Sequence, residues 1–246
     1  FDEAAEKMGA DAIRYLYASA PISNNVRFGY SLGDDVKRKL LGFWNAYIFY
    51  NTYASIDNPK LDGYTPNFKE LNITDKWLLE RTADFVEFAQ KNYDNYDLSP
   101  IVKEFETYVD DLTNWYIRIN RRRFWKNSGV DQLNAYYCLY TAIKTSCQVM
   151  APIIPFMTEH IWQKLVRQTE PNEAESIQLS AFPTPKHYGY QNLIGETQKV
   201  RDIIYLAQKL RAEHQIKVKQ PLSKMLLKVT PDYESAIADF KQIILD

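Results

Sequence analysis

Apolar positions recur along most of this chain at the three- and four-residue spacing of helices buried on one side. Met8, Ala12, Tyr15 and Leu16 predict a first helix over 2–20, with Asp2 as its cap and Pro21 as its stop. Residues 22–33, with Asn24, Asn25, Gly29 and Gly33, read as a loop. A second helix is expected from Asp34 or Asp35 to about Ser55, carrying Leu40, Phe43, Trp44, Tyr47 and Ile48; the turn-rich string DNPKLDGYTPN follows it. A third starts at Thr74, whose hydroxyl suits a cap, and shows an apolar side of Leu78, Leu79, Phe85, Val86 and Phe88. After Pro100 a long fourth helix carries Phe105, Tyr108, Val109, Leu112, Trp115, Tyr116 and Ile119 toward the string RRRFW. A fifth runs from Val130 to Pro152, and Pro155 suits the first turn of a sixth ending near Arg167.

From Glu170 to Tyr190 the chain turns polar and Pro-rich, and only the run SIQL looks extended. Beyond it lie a helix over 193–213, two short strand candidates at Ile216 (IKV) and Lys224 (KMLLKV), and a helical end. The expected fold is mainly α, a helical bundle followed by the start of a small α+β module. The expected organisation is a connecting helix and loop over 1–33, the bundle over 34–170, a linker over 171–190 and the truncated module over 191–246. No repeat of 30–50 residues is visible, which counts against a solenoid.

Composition sharpens this picture at three points. Few turn residues, 8 Gly and 11 Pro, against 18 Tyr, 12 Phe and 5 Trp favour long helices packed through rings. A net charge of -1 excludes indiscriminate coating of nucleic acid or membrane, so any polyanion site is a local patch. Cys138 and Cys147 share one expected helix, about 13 Å apart at the helical rise, too far for a disulfide, which suits a reducing compartment. His160, His187 and His214 are scattered and give no zinc spacing. The opening FDEAAEKMGADAIRY is acidic and amphipathic rather than a signal peptide, and no run of 18 apolar residues follows, so a soluble cytoplasmic protein without membrane contact is expected. The missing initial Met reads as a boundary inside a longer chain.

The candidate chemistry lies in NWYIRINRRRFW, residues 114–125. On a helical wheel Arg118, Arg121, Arg122 and Trp125 fall opposite the apolar face, and Asn114 to Lys126 hold five basic residues and no acid. Arginine forks grip phosphate oxygens in paired hydrogen bonds, and counterion release adds affinity. Arg123 instead projects onto the apolar face and is expected to be partly buried and paired with an acid, because an unpaired buried charge is costly. Asp110 or Asp111 would serve only if the helix geometry bends. The plainer alternative for the stripe is a solvated helix end whose cations oppose the helix dipole.

Several separated segments resemble the isoleucyl-tRNA synthetase family in the order that family uses them. GADAIRYLYASAP at 9–21 is similar to the helix after the KMSKS loop of class I synthetases, and LLGFWNAYIFY at 40–50 to the first helix of the anticodon-binding bundle. DLTNWYIRINRRRFW at 111–125 is the most specific match, since valyl relatives keep WYI without RRRFW. MAPIIPFMTEHIWQKL at 150–165 resembles the closing helix, ESIQLSAFP at 175–183 the segment after it, and LRAEHQIKVKQPL at 210–222 a family string in which Arg usually stands at Lys219. The resemblance implies a module that binds the anticodon arm of an isoleucine-accepting tRNA. Arg118, Arg121, Arg122 and Lys126 would then hold phosphates. Trp125 would stack on an unstacked base or else close the helix end, and Lys217 and Lys219 would form a basic strand edge toward tRNA or else a solvated face.

The strings HIGH and KMSKS do not occur here, nor does a Gly-rich phosphate loop, so no catalytic residue, metal or cofactor is expected in this chain. ATP and Mg would belong to a parent isoleucine-tRNA ligase, monomeric, whose catalytic and editing domains are partners in the same polypeptide. Trp44, Trp77, Trp115 and Trp162 sit in apolar stripes and read as packing; His160, His214, Asp110 and Asp111 carry no assigned chemistry. Two other readings stand beside this one: a valyl- or leucyl-type anticodon-binding domain, and a helical scaffold that binds protein rather than RNA.

Overall fold

The computed structural model describes the chain except for residues 1, 22, 24, 126, 127, 219 and 246. It divides into two compact units, Phe1–His187 and Tyr188–Asp246. The first predicted helix is two, α1 (Asp2–Met8) and α2 (Ala10–Ser19), broken at Gly9, whose φ of 86° suits a residue without Cβ. Helix α3 (Tyr30–Asp57) begins inside the expected loop. The reason is Gly33: a Cβ there would meet Met8 Cε at 2.5 Å, so this glycine marks the close approach of α1 to α3 rather than a turn. Helix α4 (Ile73–Asp94) is capped by Asn72, whose side-chain oxygen accepts from Thr74 N at 3.0 Å, ahead of the expected cap at Thr74.

Helix α5 (Ser99–Asp110) continues without a break through a π-helical stretch, Asp111–Ile117, into α6 (Arg118–Trp125). Helix α7 spans Val130–Met150, and α8 (Pro155–Ile161) passes through a second π-helical stretch, Trp162–Val166, into α9 (Arg167–Thr169). These helices close on two aromatic clusters. Phe85 stacks on Tyr108 at 4.8 Å and Phe43 meets Phe105 edge-on at 5.3 Å; nearer α6, Phe124 meets Tyr136 at 5.1 Å and Phe49 at 5.2 Å. Ile48 and Phe88, on expected apolar faces, are exposed.

Helix α2 is fastened to the turn between α7 and α8 from both ends of the helix dipole. Asp11 accepts from the first free N–H groups of α8, Met157 at 2.7 Å and Phe156 at 3.2 Å. Arg14 donates to the terminal carbonyls beyond α7, Pro152 at 2.6 Å and Ile153 at 3.2 Å. The Pro-rich stretch after Glu170 is laid along the bundle. Trp162 Nε1 donates to Ala174 O at 2.9 Å, and Glu159 accepts from Ile177 N at 2.9 Å. There Ile177–Leu179 forms a 3-10 turn rather than an extended run, because Ser176 caps it. At its end His187 reaches α4, with Nδ1 2.9 Å from the buried Glu80 and Nε2 3.4 Å from Glu87.

In the second unit α10 (Asn192–Glu213) carries α11 (Glu234–Asp239) and α12 (Lys241–Leu245), joined by Lys199 to Asp232 at 3.0 Å. The described residues contain no strand, so the expected α+β character of this module is corrected to helices and an irregular segment. The described residues of 216–230 are nearly all exposed, Leu226 at 83%, and an extended segment without a ladder partner leaves its backbone groups to water. Among the described residues no helix is long and apolar enough to cross a membrane.

Two consequences can be measured. Asp11→Ala removes a cap and should lower stability by about 1 kcal/mol in urea unfolding; an unchanged midpoint would show that α8 does not need it. The hydrogen bond to Glu80 raises the His187 pKa; burial opposes it and Glu87 and Asp84 reinforce it. A pKa raised on folding adds stability that is complete below the unfolded value and lost as pH rises through the folded one. The midpoint gap between wild type and His187→Ala should therefore be widest near about pH 5.5 and close toward about pH 8.5. A gap independent of pH would mean that the clasp works without charge.

Candidate nucleic-acid interface

Helix α6 is the C-terminal end of the continuous rod that starts at Ser99, and that end is held through its buried side. The π-helical stretch before it delivers Tyr116 and Asn120 inward, both buried, and Phe124 closes the same side. Arg123 lies among them with a side chain only 11% exposed. Its Nη1 and Nη2 donate to the two carboxylate oxygens of Asp75 at 2.8 and 2.7 Å, a paired fork against an acid that is fully buried. Its Nε and Nη2 donate to Asp131 at 3.0 and 2.7 Å, and Nη2 also reaches the Asp131 carbonyl at 2.9 Å. Asn120 Oδ1 accepts from Nη1 at 3.0 Å, and Tyr116 donates to Asp75 at 2.7 Å. One guanidinium thus ties α6 to the first turns of α4 and α7.

The electrostatics of this cluster keep it charged. Burial alone would pull the Arg123 pKa down, but the hydrogen bonds and negative charge of Asp75, with Asp131 behind them, push it further up. Burial, and then the Asp75 charge, holds the Tyr116 hydroxyl protonated and so able to donate.

Asp111 is not part of it. It accepts from Arg81 Nε at 2.8 Å, and Arg81 also pairs with Glu104 at 2.6 Å over the Tyr108 ring. Asp111 and Arg123 stand twelve residues apart, roughly 18 Å along a helix, so the partner for Arg123 comes from other helices. Asp110 accepts instead from Asn114 at 2.6 Å. Nothing in the spacing of the sequence marks Asp75 or Asp131 as the pair; each is simply an acid in a first helical turn.

With Arg123 committed inward, Arg118, Arg121 and Arg122 are exposed on the other side of α6, and none of the three has an acid or hydrogen-bond partner among the described residues. Trp125, 67% exposed, ends the helix beside them. Three cations and a ring on one rigid face can take phosphates and a base plane together. Lys126 and Lys219 lie outside the described residues. Lys217 is exposed in the second unit, on irregular chain rather than a strand edge, and its carbonyl accepts from Arg211 at 3.2 Å. No group of His, Cys, Asp and Glu able to hold a metal occurs among the described residues, and burial pushes the thiols of Cys138 and Cys147 up.

A model of the family described as the anticodon-binding domain of tRNA ligase matches residues 75–226, which takes in the Arg123 cluster and the face it supports. The chain belongs to this family. Among curated proteins this anticodon-binding domain is similar to the isoleucine–tRNA ligase of Dehalococcoides mccartyi, 37% identical over 228 residues, covering 89% of this chain and 22% of that protein. The isoleucine–tRNA ligase of Thermus thermophilus is 36% identical over 226 residues, covering 90% of this chain and 22% of its own length. That of Treponema denticola is 34% identical over 263 aligned residues, covering all of this chain and 24% of its own length. The chain thus spans about a fifth to a quarter of the relatives it matches.

The two roles of neighbouring arginines in this anticodon-binding domain separate by mutation. Arg123→Ala strands the buried Asp75 charge and should cost about 3 to 5 kcal/mol of unfolding free energy. Arg121→Ala should change stability by no more than about 0.5 kcal/mol. Equal losses in denaturant titrations would contradict the division.

Proposed function

We propose that this chain is the part of an isoleucine–tRNA ligase that holds the anticodon arm of its tRNA. The observation that carries the reading is the division of labour along α6: Arg123 is bound internally to two acids, while Arg118, Arg121 and Arg122 face solvent beside Trp125. Family membership supports it, as do relatives named isoleucine–tRNA ligase along nearly the whole chain. The three arginines hold phosphates of the arm, Trp125 stacks on a loop base, and Lys126, Lys217 and Lys219 add further cations. The parent enzyme, monomeric and cytoplasmic, joins isoleucine to the tRNA with ATP and Mg. Those groups act in its catalytic domain, since HIGH and KMSKS do not occur in this sequence. A protein-binding scaffold would give no reason for a basic face free of acids.

The test is affinity for an isoleucine-accepting tRNA transcript and an unrelated tRNA across a salt series, for wild type and an Arg121→Glu, Arg122→Glu double variant. Wild type should prefer the isoleucine tRNA. The variant should lose affinity, and its log–log salt slope should fall by about 0.7 to 0.9 for each phosphate that is no longer neutralised. If neither tRNA binds and the variant matches wild type, α6 presents a solvated face and the reading is wrong.

A further inference from the structure

Asp131 is an acid held against Arg123 on the inner side of α6, while Arg118, Arg121 and Arg122 are exposed on the outer side. Its side chain is 47% exposed, and by charge alone any carboxylate weakens the attraction of a domain for a polyanion. Its geometry points elsewhere. Asp75 grips the Arg123 guanidinium from α4, at 2.7 and 2.8 Å; Asp131 grips it from the first turn of α7, through Nε at 3.0 Å and Nη2 at 2.7 Å. With one acid, the guanidinium could swing and the last turns of the rod, which are α6, could unwind. With two acids on different helices, the fork is held from two sides. Arg118, Arg121 and Arg122 share a face only while those turns stay helical, since the step of about 100° per residue is what brings them together.

We propose that Asp131 is a positioning residue for RNA: by holding Arg123 opposite Asp75 it keeps the end of the rod wound at α6, so that Arg118, Arg121 and Arg122 meet phosphates together. The inference rests on the anticodon-arm reading above. It makes a prediction of opposite sign to charge alone. Removing an acid should tighten RNA binding or leave it unchanged if that acid is a bystander, and weaken it if the acid holds the basic face in place.

The experiment uses the full chain with an isoleucine-accepting tRNA transcript, and compares wild type with Asp131→Ala, Asp131→Asn and Asp131→Glu. Asp131→Ala should bind more weakly, by roughly fivefold at about 0.1 M salt for each phosphate that α6 no longer reaches, with a shallower salt slope. Amide hydrogen exchange should quicken over 118–125 while the other helices keep their protection. Asp131→Glu, which retains the charge, should recover part of the affinity. Should Asp131→Ala fail to fold, Asp131→Asn decides by the same sign, since it keeps an oxygen acceptor without the charge. Binding by the Ala or Asn variant that equals or exceeds wild type, or exchange over 118–125 that is unchanged, overturns the proposal while leaving the anticodon-arm reading intact. A wild type that binds no tRNA overturns that reading, and the role of Asp131 falls with it.

Discussion

A guanidinium cannot be taken out of water unless most of its five N–H groups find acceptors, and the described bundle is organised around one that has. Arg123 is held by Asp75, which is fully buried, and by Asp131, which is half exposed. A buried ion pair is weak evidence of stability in itself, because desolvation opposes the Coulomb attraction; its value lies in geometry. A hydrophobic residue at position 123 would fill the space, yet it would make no directional bond to either neighbouring helix. The end of the rod that carries α6 is fixed by such bonds to α4 and α7.

The π-helical stretch Asp111–Ile117 belongs to the same constraint. In one uninterrupted α-helix the apolar stripe from Phe105 to Ile119 would drift steadily around the axis. A π segment takes up an additional residue and resets the phase, so that Asp111 faces Arg81 at the middle of α4 while Tyr116, Asn120 and Arg123 face Asp75 at its start. Two buried arginine clusters on one continuous helical rod therefore meet the same neighbouring helix at two heights. The aromatic rings of Phe85, Phe105 and Tyr108 pack together on the side of the Arg81 cluster away from Arg123.

How much of this is legible in the sequence depends on the range of the interaction. Helix periodicity, which is local, locates every long helix of the bundle and the outward direction of Arg118, Arg121 and Arg122. The inward direction of Arg123 is equally local. Its partners are not: Asp75 and Asp131 are 48 and 8 residues away, and only the packing of three helices brings them to one point. Gly33 deceives for a related reason, since a glycine that admits Met8 from another helix looks the same in sequence as a glycine in a loop. The strand candidates at Ile216 and Lys224 fail because a strand is a property of a pair, and β-rich composition on one segment supplies no partner.

The same distinction separates what the family contributes from what the physics contributes. Membership tells which arm of an RNA the domain is related to binding, but not why three adjacent arginines should differ in role. The difference follows from the wheel and the acids. Residues 121 and 122 fall on the outer side, whereas residue 123 returns one turn after Ile119 to the inner side, where two carboxylates wait. A lysine at 123 would offer a point charge to one acid and could not bridge both in a plane, so RRRFW is not a run of interchangeable cations. The third arginine is an internal strut whose rigidity makes the exposed ones useful, because phosphate contacts add their energies only when the groups that make them are already held in the right relation to one another.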